Sequence, residues 1–293
     1  KLFDLVVIDE ASQMSIPEGV LAGAFLRNDG QVIVVGDHRQ MPPILTHDWD
    51  EEPKRIFKEY QPFLSLFEYL MEKGFPREAL DRSFRLHKVI AEFLNENIYS
   101  HDGIEFYSRK KDLLAAHPVS NEFLRIVLDP KYPIVVIEHD EYGSHQYNET
   151  EVEIVKPIIE QLSQHMMLSG IDGMGVVVPH RAQKAILRQI FPELAQHNSI
   201  DTVERFQGGE RDVIILSATA SDPDYVLAEA DFLVNLNRLN VAISRPRKKL
   251  IVVASSTVVD LLTSDIEVFE NSLLWKKLYY QYADSVLYSG VLN

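Results

Sequence analysis

Six short aliphatic runs set the strongest constraint on how this sequence can fold: Leu5–Ile8, Gln31–Val35, Ile134–Ile137, Gly175–Val178, Val213–Ala218 and Leu250–Ala254. Each is nearly continuously apolar and does not alternate with polar residues. A strand of that kind has no solvated face, so it belongs in a parallel sheet covered by helices on both sides. The intervening segments supply the helices, with apolar spacing that predicts them over 17–26, 63–73, 89–99, 149–165 and 181–191. Strand, helix and strand follow one another within about thirty residues at the start, which is the βαβ unit of an α/β sheet. The expected fold class is therefore α/β, and Leu5–Ile8 is expected to be buried on both faces.

Length and motif order divide the chain in two. Its 293 residues suffice for one large or two ordinary domains, and the segment LDRSFRLH, Leu80–His87, marks the passage from a first unit, 1–81, to a second, 82–293. Asp48–Glu52 reads as a solvated acidic insertion, 101–130 as a connection with short elements, and the stretch around Trp275 as a closing amphipathic helix. The chain opens at Lys1 directly into a hydrophobic strand with nothing before it to flank it, the reading expected of a fragment. Without cysteine there is no disulfide, thiolate zinc site or iron–sulfur cluster, which fits an intracellular setting, cytoplasmic or nucleoid or nuclear. No apolar run approaches the roughly 20 residues that span a bilayer, and no signal-peptide pattern is present, so no membrane partner is expected. The net charge of −15 weighs against a passive polyanion binder, leaving local basic patches to make any nucleic-acid contact.

Chemistry-bearing residues gather where strands end. Asp9 and Glu10 follow the first run. In a nucleotide hydrolase one carboxylate would hold Mg²⁺ and the other would orient the attacking water, whereas a plain α/β protein would use them only to cap a helix. Gly36-Asp37-His38-Arg39-Gln40 follows the second run, and the Gln40 amide can both donate to a phosphate and accept from a water. Pro42 and Pro43 then exclude a continuing helix or central strand. Arg82 and Arg85 stand at the start of the second unit, placed either for interfacial ion pairs or to stabilise charge on a transferring phosphoryl group. Thr202–Asp212, TVERFQGGERD, is either a polar hairpin loop or a phosphate-binding loop in which Gly208 and Gly209 let backbone N–H groups approach closely. Asn240–Lys249 carries four basic residues, with Lys248 and Lys249 read as a solvated face. In Val178–Gln183, VPHRAQ, a strand end and a breaker precede a helix start, where anions bind.

Taken in order and at these spacings, the motifs resemble those of superfamily 1 helicases, in the branch of the nonsense-mediated-decay RNA helicase and the Okazaki-fragment helicase–nuclease. DEAS is similar to motif II (Walker B), GDHRQMPP to motif III, LDRSFRLH to motif IV, VPHRAQ to the motif after IV, TVERFQGGERDVIILS to motif V and NVAISRPRKKLIVVAS to motif VI. The resemblance implies a RecA-like P-loop NTPase fold: part of a first lobe, and a complete second one closed by the carboxyl-terminal helix. It implies ATP and Mg²⁺ as cofactors, with Asp9 on the metal, Glu10 as base, Gln40 at the γ-phosphate, and Arg85 and Arg245 as arginine fingers. Asp37, Gly208 and Glu210 fall on the nucleotide side, and His180, Arg181 and Thr202 toward the nucleic-acid backbone. Phe84 and His180 stand where tyrosine is frequent, and Pro246 where alanine is, which puts the helix geometry around Arg245 in doubt. The sequence contains no GxxxxGK followed by Ser or Thr, so an upstream part of the same protein is expected to supply Walker A, and this chain alone is not expected to hydrolyse ATP. The expectation is a 5′→3′ helicase or translocase on single-stranded DNA or RNA, DNA favoured. The alternatives are a non-hydrolysing RecA-like scaffold and a split-helicase subunit.

Overall fold

The computed structural model describes residues 2–44, 64–206, 208–282 and 286–288; the acidic insertion expected at Asp48–Glu52 lies outside them. The chain separates into two compact units, residues 1–79 and 80–293.

In the first unit, β1 (Phe3–Ile8), α1 (Ile16–Gly23) and β2 (Leu26–Val34) form a parallel βαβ, followed by α2 (Leu66–Glu72). Leu5 lies opposite Gln31 and Ile8 opposite Val34. Both helices begin at a serine followed three residues on by glutamate. The Ser15 N–H donates to Glu18 Oε2 at 2.8 Å, and the Glu68 N–H donates to Ser65 Oγ at 3.0 Å. Val6 and Ile8 face a small core with Ala11, Val34, Leu66 and Phe67. The expectation that Leu5–Ile8 is buried on both faces is corrected here: Leu5 is 48% and Val7 57% exposed. Side chains alternate along a strand, and the helices among the described residues cover one face of this two-stranded sheet.

The second unit begins with β3 (Arg82–His87), α3 (Lys88–Asn97), β4 (Tyr107–Lys110), α4 (Glu122–Val127), β5 (Ile134–His139) and α5 (Glu149–Glu160). It continues through β6 (Met174–Val178), α6 (Arg181–Ile190), α7 (Pro192–Gln196), β7 (Ile200–Thr202), α8 (Val203–Phe206), β8 (Arg211–Ser217), α9 (Pro223–Ala228) and α10 (Ala230–Leu233). The last elements are α11 (Leu236–Ile243), β9 (Pro246–Ser255), α12 (Ser256–Val259), α13 (Ile266–Lys277) and β10 (Val286–Tyr288). Strands β3 and β4 pair in parallel, and the other six form one parallel sheet in the order β10-β5-β9-β8-β6-β7. Val135, Ile137, Ile215, Ile251 and Val253 pack on one side with Ile154, Val155, Ile158 and Ile159 of α5. The alternate residues Ile134, Val136, Ile214, Leu250 and Val252 are also buried. Both faces are thus covered, as the continuous apolar runs require.

Two expectations change. Thr202–Asp212 is not a hairpin, because β7 and β8 both pair in parallel with β6 and a helical turn connects them. Strand β9 begins at Pro246, four residues before the apolar run, so Lys249 belongs to a central strand and not to a solvated face. Lys249 is 1% exposed, and its ammonium donates to the Asp129 carbonyl at 2.9 Å and to the Tyr132 carbonyl. Replacing Lys249 with Met keeps the stem and removes those bonds. We expect Lys249→Met to cost about 1.5–3 kcal/mol, read as a lower urea midpoint at unchanged slope.

Candidate active site

In the first unit, the acidic pair stands where β1 runs out. The Val35 N–H donates to the Ile8 carbonyl at 2.8 Å and the Ala11 N–H to the Val35 carbonyl at 2.9 Å, so the chain is pinned on either side of Asp9 and Glu10. Between those pins Glu10 adopts φ 52°, the left-handed region that non-glycine residues seldom occupy. Such strain persists only where the surroundings enforce it, and it collects at working sites. The Glu10 N–H donates to Asp9 Oδ1 at 2.9 Å, and Gln13 Nε2 donates to Glu10 Oε2 at 3.4 Å. Both acidic residues are exposed.

The loop after β2 packs against this turn. A Cβ on Gly36 would fall 2.9 Å from the Phe67 ring and 3.0 Å from the Ser12 nitrogen, so glycine permits the approach. Asp37 then organises the turn, its Oδ1 accepting from the Arg39 N–H at 2.9 Å and its Oδ2 from Gln40 Nε2 at 3.0 Å. Asp9, Glu10, Asp37 and Gln40 therefore follow the carboxyl ends of paired parallel strands. An exposed pair of hard carboxylates suits Mg²⁺, which takes one or two protein carboxylates and keeps several waters.

In the second unit the predicted residues separate into two groups. The first lies at the amino ends of β8 and β9. Arg245 sits between α11 and β9 and is buried; its Nε donates to the Val241 carbonyl at 3.0 Å and its Nη1 to the Gly209 carbonyl at 3.3 Å. The proline after it begins the strand, so the helix ends ahead of Arg245, and the Arg245 carbonyl accepts from the Arg211 N–H at 3.1 Å. Arg85 Nε lies 3.9 Å from Glu210 Oε2, and Arg247 Nη1 lies 3.3 Å from Glu210 Oε1. Gly208, at φ 79°, makes the turn into this cluster; Gln207 lies outside the described residues. Motifs IV, V and VI thus converge through Arg85, Gly209, Glu210 and Arg245. Sequence reading missed Arg247, whose Nε also donates to Asp212 Oδ1 at 2.8 Å, because the strand start was placed too late.

The second group lies at the carboxyl ends of β6 and β7, where Val178 and Thr202 are paired. Arg181 is exposed at the first position of α6, and His180 precedes it with no side-chain cap bond. The His180 ring is buried, 5.4 Å from Phe232 in a stacked arrangement, and its Nε2 has no hydrogen-bond partner. The Thr202 hydroxyl bonds to Glu204, and Arg238 pairs with the same carboxylate. Burial acts to raise the Glu204 carboxyl, but those partners outweigh it and hold it below its usual range.

Beside this group is a buried polar network that sequence reading did not foresee. The fully buried Glu151 carboxylate accepts from Ser217 Oγ at 2.5 Å and from the Thr219 N–H at 2.9 Å, with His139 Nε2 at 3.3 Å. Asn148 caps α5 by accepting the Glu151 N–H at 2.9 Å, and its own N–H donates to Gln183 Oε1 at 3.0 Å. The Asn-x-x-Glu spacing announces a helix start; nothing in it announces that the glutamate is buried.

A parallel sheet covered by helices on both faces, as in the second unit, is the architecture of the RecA-like fold class. A family model described as an AAA domain matches residues 64–257, and a second with the same description matches 1–48. The chain belongs to that AAA-domain family and is superfamily 1 helicase-like. An uncharacterized ATP-dependent helicase of Methanocaldococcus jannaschii is 28% identical over 94% of this chain and 39% of its own length. The regulator of nonsense transcripts 1 of Dictyostelium discoideum is 29% identical over 92% of this chain and 20% of its own. The DNA replication ATP-dependent helicase/nuclease of Saccharomyces cerevisiae is 28% identical over 98% and 19%. The chain therefore spans between about a fifth and two fifths of the length of these relatives.

His180 gives this site a pH signature. Burial, and then Arg238, hold its imidazole below the ordinary 6.5. Between that value and the lowered one, the unfolded chain binds a proton that the fold refuses, so stability drops as pH falls through this window. We expect His180→Phe, which keeps a ring against Phe232, to flatten the fall in urea stability below pH 6.5. His87, also lowered by burial, retains part of the slope.

Proposed function

We propose that this chain is the carboxyl-terminal portion of an ATP-dependent superfamily 1 helicase or translocase acting on single-stranded nucleic acid. In this reading 1–81 belongs to the first RecA-like lobe and 82–293 forms the second. Asp9 would hold Mg²⁺, which supplies charge neutralisation at the phosphates when bound. Glu10 orients and deprotonates the attacking water, and Gln40 and Asp37 respond to the terminal phosphate. Arg85 and Arg245 stabilise charge on the transferring group, with Gly208 and Glu210 on the same side. His180, Arg181 and Thr202 lie toward the strand backbone; the α6 amino end supplies backbone donors there.

The observation that carries this reading is the convergence of Arg85 and Arg245 on Gly209 and Glu210, three sequence-distant segments meeting at one sheet edge. The DNA replication relative supports DNA as substrate, and the regulator of nonsense transcripts keeps RNA as the alternative. Direction, 5′→3′, follows the family resemblance. The sequence holds no Walker A loop, so hydrolysis draws on polypeptide that carries one, and this chain alone is inactive as an ATPase. That same gap is the one observation favouring a split subunit or a non-hydrolysing scaffold. No helix among the described residues is long and apolar enough to cross a membrane.

Glu10→Gln tests the reading in the protein assembled with its Walker A loop. Nucleic-acid-stimulated ATP hydrolysis should fall at least about 10²-fold while binding of a fluorescent ATP analogue persists. Turnover at the wild-type rate would remove Glu10 as the base.

A further inference from the structure

At the carboxyl edge of the second unit's sheet, aromatic rings form a continuous series. Arg238 lies 3.9 Å from the Phe232 ring centroid, and Phe232 stacks on His180 at 5.4 Å. His180 meets Tyr225 at 6.0 Å, and Tyr225 carries His145 flat upon it, centroids 4.6 Å apart at 9°. The series runs from a buried ring to a solvated one, since the His145 side chain is 56% exposed. One His145 face is taken by Tyr225, so the exposed surface is its other face and edge.

The loop bearing His145 is fixed in place. The Ser144 N–H donates to Ser221 Oγ at 2.8 Å, and the Ser144 carbonyl accepts from the N–H groups of Ser221 and Asp222 at 2.8 and 3.1 Å. Glu141 accepts from Ser144 Oγ at 2.9 Å, Asn148 Nδ2 at 2.7 Å and Ser221 Oγ at 2.6 Å. Asp222 Oδ1 lies 3.8 Å from His145 Nε2 and accepts the Tyr225 N–H at 2.9 Å, capping the helix that carries Tyr225. An exposed imidazole ordinarily keeps rotamer freedom; this one is pre-organised as a flat platform, and pre-organisation lowers the cost of binding.

We infer that His145, backed by Tyr225, is a base-stacking subsite for single-stranded nucleic acid. This rests on the function proposed above, which puts the strand backbone at His180, Arg181 and Thr202. The ring series leads from His180 through Tyr225 outward to the exposed face of His145. Base stacking on aromatic and imidazole rings is tolerant of sequence, which suits a motor that must pass every base.

The test uses fluorescence anisotropy at low salt with two probes, a labelled thymidine oligonucleotide of about a dozen nucleotides and its abasic counterpart of equal length. His145→Ala should bind the base-bearing probe about tenfold more weakly than wild type and the abasic probe equally well. His145→Phe, which keeps a ring and removes the ionisable group, should bind both as wild type does. Equal weakening of His145→Ala on both probes, no weakening on either, or failure of His145→Phe to restore binding overturns the stacking subsite. Wild-type protein that binds neither probe overturns the nucleic-acid reading, and the subsite with it.

Discussion

The parallel hydrogen-bonding of β8 between β9 and β6 is the constraint on which the second unit depends. Met174 lies opposite Val213, and Val213 opposite Lys249, with every strand of that sheet running the same way. Parallel strands cannot be joined by tight turns, so each connection is a crossover that returns to the starting edge. All amino ends therefore lie on one edge and all carboxyl ends on the other. Arg245, Glu210 and Arg247 gather at the first edge because they immediately precede or begin β8 and β9. His180, Thr202 and the Glu151 network gather at the second because they follow or cap the strands that end there. The separation of these residues between the two edges follows from strand direction before any side chain is considered.

The fold class was readable because continuous Val and Ile runs leave few alternatives to a covered parallel sheet. The boundaries were less so. Lys248 and Lys249 read as a solvated face because charge conventionally marks the surface, yet pairing carries β9 back to Pro246 and buries Lys249 against two carbonyls. Likewise, LDRSFRLH is a strand over Arg82–His87, although its composition gives no apolar period. In the first unit the opposite error occurred: Leu5 and Val7 have the sequence of a doubly buried strand and an exposed face in this structure.

Candidate residues were legible individually, their partners were not. Asp9, Glu10 and Gln40 could be picked from strand-end position, but the left-handed Glu10 backbone and the Gly36 contact with Phe67 arise from tertiary packing. The doubt about Pro246 also resolves through structure. Its ring begins a strand, and the preceding Arg245 folds back onto the last turn of α11 through the Val241 carbonyl. Glu151 was hidden because a capping sequence looks the same whether its acid is solvated or buried. Once buried, that carboxylate requires the donors of Ser217 and Thr219, and it ties α5 to the carboxyl end of β8.

We propose that the two edges of the second unit's sheet serve different ligands, phosphate chemistry at the amino ends and nucleic acid at the carboxyl ends. Arg85→Ala tests it most directly because Arg85 is only partly buried and its Nε lies 3.9 Å from Glu210 Oε2 at the amino edge. Hydrolysis and oligonucleotide affinity should be measured on the same preparation, assembled with its Walker A loop. Arg85→Ala should lose about 10³-fold or more in turnover with oligonucleotide affinity unchanged. Unchanged turnover, or a fall in oligonucleotide affinity as large as the fall in turnover, would contradict it.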